Sequence, residues 1–83
     1  GKRSFEKAKK QKNRRRSAEA RRASTEREIE ALEAALAENK RAQEAHMQDF
    51  TALTELGRRA AEIEAQLERL YEILSQLEEE LQA

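Results

Sequence analysis

Leu53, Leu56, Ala60, Ile63, Leu67, Leu70, Leu74, Leu77 and Leu81 recur at alternating spacings of three and four. This is a heptad seam held in phase for four repeats. A straight helix has 3.6 residues per turn, so a sustained 3.5-residue repeat stays on one face only when a second helix packs along it. By the helical rise the stripe is about 42 Å long, too much leucine for an isolated helix to expose to water. The segment therefore demands a helical partner.

Composition decides what kind of object supplies that partner. The chain has 83 residues, of which 41% are charged and 4% aromatic, too little apolar material for a globular core. Proline is absent and glycine occurs only at Gly1 and Gly57, while Ala, Glu, Arg, Leu, Lys and Gln dominate. Elongated helices fit this inventory and strands do not. Without cysteine there is no disulfide framework and no thiolate chemistry, which agrees with a cytoplasmic setting. No apolar run reaches the length of a signal sequence or a membrane span, so a soluble chain is expected.

The formal net charge of zero hides a division along the chain. Residues 1–22 carry eleven Lys and Arg against Glu6 and Glu19, a net +9, and residues 23–83 carry six basic against fifteen acidic side chains, a net −9. The basic stretch is almost free of large apolar residues, Phe5 excepted. Positive charge near a helix N-terminus opposes the macrodipole, and Lys10/Arg14 and Lys12/Arg16 are like charges at i, i+4. A basic arm over 1–24, helix-prone but frayed when alone, is the expectation. Polyanionic phosphate would reverse each of these penalties.

The remainder, 25–83, reads as an antiparallel coiled coil with helix 1 at about 25–46, a turn at about 47–50 and helix 2 at about 51–82. Thr25 and Glu28 have the capping-box spacing ahead of Ile29, Leu32 and Leu36. The other reading makes Thr25 an interior residue of one helix running from about Phe5. Asn39, Gln43 and His46 then occupy positions where apolar residues would be needed, so helix 1 is the weaker one. Asp49 or Thr51 can cap helix 2. Gly57, inside helix 2, costs about 1 kcal/mol relative to Ala. It would allow a mild bend or a close approach of helix 1.

Folding back at the turn gives a register in which facing positions sum to roughly 97. Ile63 and Leu67 then meet Ile29, Leu32 and Leu36; Leu74 and Leu77 meet Ala18, Ala20 and Ala23; and Arg14, Arg15 and Arg16 come near Glu78, Glu79 and Glu80. Tyr71 and Ile73 remain on a leucine flank open to another domain or a second copy.

No catalytic constellation is present. His46 is the lone histidine and reads as a polar turn residue, so neither a metal site nor a cofactor is expected. No G-x-x-x-x-G-K-[ST] loop occurs. The basic arm carries the functional signal. Lys7, Lys9, Lys10, Lys12, Arg14, Arg15, Arg16, Arg21 and Arg22 are distributed around a helix in a way suited to backbone phosphates. Phe5 alone gives no base-stacking platform, so sequence-specific readout is not implied. The competing reading pairs the arm with the chain's own acidic tail. A membrane-surface helix is disfavoured because 1–22 lacks an apolar face.

A basic run KKQKNRRRSAEARR, a first coiled-coil helix EIEALEAAL, an interruption and a return helix ending LERLYEILSQLEEEL follow one another in this chain. That order resembles the C-terminal coiled-coil domain of the ABC-F family of ATP-binding proteins, the Uup-like soluble relatives of transporter ATPases. The resemblance covers nearly the whole chain, with Leu70-Tyr71-Glu72 and the placement of the basic run as its most telling parts. It implies the tail of a cytoplasmic protein whose two ATPase domains lie elsewhere in the parent chain. It also implies binding to DNA or ribosomal RNA, with the ribosome as a partner and a translation-related role.

The combined expectation is an all-α, two-helix antiparallel coiled-coil hairpin with a basic N-terminal arm, monomeric, binding nucleic acid without strong sequence preference and performing no catalysis itself. The alternative is a structural protein-interaction or homodimerising coiled coil.

Overall fold

A computed structural model describes residues 2–83 and contains two helices, α1 (Lys2–Ala45) and α2 (Phe50–Gln82), packed against each other as an antiparallel hairpin. Gly1, the first residue of the arm, lies outside the described residues. The hairpin measures 72 × 15 × 14 Å, a rod two helices thick.

α1 is continuous through the basic stretch, so it does not begin near residue 25. Thr25 sits in mid-helix, buried, and its hydroxyl donates to the Arg21 carbonyl at 2.7 Å. No glycine or proline interrupts the run of helix formers around it. A threonine in that setting satisfies its own hydroxyl on the preceding turn and has no free N–H groups to cap.

The turn comprises residues 46–49, one residue earlier than expected. Asp49 is the reason. Its backbone is extended (φ −101°, ψ 95°) and its carboxylate accepts from the Ala52 N–H at 3.0 Å, so α2 starts at Phe50. The His46 N–H donates to the carbonyls of Ala42 and Gln43, and its own carbonyl accepts from Asp49 N–H, which closes α1.

The seam of α2 is the core. Ala60, Ile63, Leu67, Leu77 and Leu81 are buried, while Leu53, Leu56, Leu70 and Leu74 are half-buried along the same stripe. Ile63 and Leu67 pack with Ile29, and Leu32 and Leu36 lie against that cluster. Toward the open end, Ala18 packs with Leu77 and Leu81, and Ile73 closes over them. The register thus follows the expected pairing, with three corrections. Leu74 packs against the cluster of Ile29, Ile63 and Leu67 and not with Ala18. Ala20 faces solvent, because two residues from Ala18 is more than half a turn away on a helix. Ile73 belongs to the core and is not on a free flank.

The seam of α1 is largely polar at its ends. Asn39 is buried, and its amide donates to the Leu56 carbonyl of α2 at 2.9 Å while its oxygen accepts from the Gln43 amide at 2.6 Å. Two seam positions that lack apolar side chains are therefore satisfied by hydrogen bonds, one of them across the hairpin. Gly57 serves no close approach: a Cβ built there would meet nothing within 4 Å.

Candidate nucleic-acid interface

Because the first buried residue of α1 is Ala18, the arm is exposed all round: residues 2–17 are solvent-facing without exception. Helix propensity holds the backbone there, since Ala, Lys, Arg, Gln and Glu dominate. In the expected register the last residue of α2 lies opposite about residue 14, and α1 runs roughly three turns past it.

The candidate side chains divide by direction. Lys9, Lys12 and Arg16 line one shallow depression with Phe5, Ala8 and Asn13. Lys12, Arg14 and Arg15 border the groove at the end of the hairpin, beside Glu80, Leu81 and Ala83. The last turn of α2 has no basic residue of its own, so these α1 cations are the positive charges nearest its negative dipole end. Arg22 is half-buried and lines a second groove with Arg15, Glu19 and Glu78. Lys7, Lys10 and Arg21 are exposed on α1 away from both grooves. Lys2 and Arg3 are equally exposed and extend the same surface; their place in the basic run was the signal for them.

The arginine run does not pair directly with the acidic tail. Among the described residues the ion pairs all lie within one helix, and the run's own contribution is Arg15 to Glu19 at 3.6 Å. Glu80 shares a groove with Arg14 and Arg15, and Glu78 one with Arg15, without fixing any side chain, while Arg16 lines only the depression on α1 itself. Such exposed pairs contribute less than about 1 kcal/mol even when formed. The remaining cations of the arm are solvated and available to an external anion.

Farther along the rod the surface is acidic. Tyr71 bridges the helices by donating its hydroxyl to the Glu33 carboxylate. That hydrogen bond, aided by desolvation and the nearby negative charge, raises the tyrosine above its ordinary value. At the tip Met47 and Phe50 are 74% and 83% exposed. Among the described residues no helix is long and apolar enough to cross a membrane. No family model, curated protein or solved structure matches the chain.

Proposed function

We propose that this hairpin is a binding module for nucleic acid, DNA or ribosomal RNA, held through phosphate contacts with little dependence on sequence. The observation that carries the reading is the exposed arm: a continuous helix whose lysines and arginines from Lys2 to Arg16 all face solvent, with an acidic partner in ion-pair range for Arg15 only, among the described residues. Such a segment opposes its own dipole and repels itself, and phosphates relieve both costs. The module acts by binding and not by catalysis. In keeping with the resemblance drawn from the sequence, its setting would be the cytoplasmic tail of an ABC-F-type ATPase working at the ribosome.

Fluorescence anisotropy with labelled duplex DNA and structured RNA, at several salt concentrations, tests this. Binding should fall steeply with salt and weaken for every sequence alike when Arg14, Arg15 and Arg16 are together replaced by Ala. Absence of binding at low salt overturns the reading.

The half-exposed Leu70 and Leu74 along the rod, and separately the exposed Met47 and Phe50 at its tip, favour a second reading as a protein-interaction or homodimerising coiled coil. Sedimentation equilibrium separates the two, since a hairpin stays monomeric across concentrations and a dimer does not.

A further inference from the structure

The cations of α1 are arranged in rows. Arg3, Lys7, Lys10, Arg14 and Arg21 follow one another at steps of four, three, four and seven, which aligns them along one side of the helix. Lys2, Lys9 and Arg16, at steps of seven, form a second row. At 3.6 residues per turn the rows stand about 130° apart, the first about 50° from the direction of Ala18 and the second opposite it. Between them, turned away from Ala18 and therefore from α2, lie Asn13, Ser17, Ala20 and Ser24, all exposed. Glu6 lies in the same strip near its outer end.

We infer that this outward face of α1 seats in the major groove of B-form duplex DNA, with one row on the phosphates of each strand; the inference rests on the nucleic-acid reading above. A helix with its side chains is about 10–12 Å across, and the B-DNA major groove is about 12 Å wide. The small residues between the rows let the backbone approach the groove floor while the long Lys and Arg stems reach outward to both walls. The minor groove, about 6 Å wide, admits no helix, and the major groove of A-form RNA is too deep and narrow for side chains to read. From Lys2 to Ser24 the helix spans about 34 Å. Beyond it Glu28 follows on the side of the first row, while Arg27 continues the side of the second. Five of the eight row cations, Lys2, Arg3, Lys7, Lys9 and Lys10, lie on the part of α1 that projects past α2, and Arg14, Arg16 and Arg21 lie on the paired part.

The test is anisotropy with the whole chain against four probes: a plain DNA duplex, the same duplex with glucosylated hydroxymethylcytosine filling the major groove, the plain duplex saturated with distamycin in the minor groove, and an RNA duplex of equal length. A Ser17→Gln/Ala20→Gln variant, neutral and helix-compatible, is run beside the wild type with helicity checked by circular dichroism. Expected are losses of about tenfold or more for the glucosylated and RNA duplexes and for the variant, with distamycin without effect. Equal wild-type affinity for plain, glucosylated and RNA duplexes overturns the groove assignment while leaving phosphate binding intact. Displacement by distamycin or tighter binding to RNA overturns it too. Failure of the wild type to bind any probe instead removes the nucleic-acid reading beneath it.

Discussion

Asn39 illustrates how one residue sets the fold's uniqueness at the expense of its stability. Its amide spans the seam to the Leu56 carbonyl, a partner that exists only in this register. Polar residues at such positions specify register and oligomeric state in coiled coils. Asn39→Leu should therefore raise the melting temperature while adding concentration-dependent species in sedimentation. Gly57 is the opposite case. Its φ is not positive and a Cβ would meet open space, so only the entropic cost of glycine remains. Gly57→Ala should stabilise the hairpin by about 1 kcal/mol, read from the urea midpoint. Tyr71 gives a pH signature. The fold raises its pKa through the hydrogen bond to Glu33, so its contribution is complete below the ordinary tyrosine value and is lost as pH rises through the folded one. Stability measured from neutral pH into the alkaline range should fall more steeply for wild type than for Tyr71→Phe.

At the scale of elements, the two helices differ in how openly their sequences declare them. α2 carries an apolar residue at every seam position from Leu53 to Leu81, so its buried face was legible and its cap fell on one of the two expected residues. α1 keeps the same heptad spacing through Ala18, Arg22, Thr25, Ile29, Leu32, Leu36, Asn39 and Gln43, and these positions are buried or half-buried, with Ala23 and Ala42 half-buried beside them. Polar side chains at half of them conceal the stripe from a reading based on hydrophobicity; at Thr25, Asn39 and Gln43 hydrogen bonds to backbone and neighbouring amides replace apolar contact. The capping box at Thr25 misled for a related reason: the same hydroxyl serves mid-helix as well as at an end. The basic surface was legible residue by residue, but the direction each side chain takes required the phase that Ala18 fixes. Burial then ranks the seam. Leu67→Ala, in the cluster with Ile29 and Ile63, should cost about 2–4 kcal/mol, and Leu53→Ala, half-exposed near the turn, about 1 kcal/mol, both by chemical denaturation.

For the whole molecule the governing quantity is the separation of +9 in residues 1–22 from −9 in the remainder. A rod so polarised presents phosphate-compatible surface at one end only, which bounds how many counterions it can displace. The two rows of α1 hold eight cations, so the slope of log K against log salt on duplex DNA should lie near −7 at most. Replacing Arg14, Arg15 and Arg16 by Ala tests whether direction matters as well as charge. Arg14 and Arg16 stand in the rows, although Arg14 also borders the groove at the end of the hairpin; Arg15 lies on the side of α1 opposite the strip of small residues, borders both grooves and already approaches Glu19. The slope should then shrink by about 2, not the roughly 3 that three equivalent arginines would give. A change of 3 would mean that phosphate surrounds the arm without regard to its phase, and that α2 does not screen Arg15. A change near 2, with the Arg15→Ala variant alone leaving the slope unaltered, would show that the orientation imposed by the leucine seam of α2 governs which cations of α1 the anion meets.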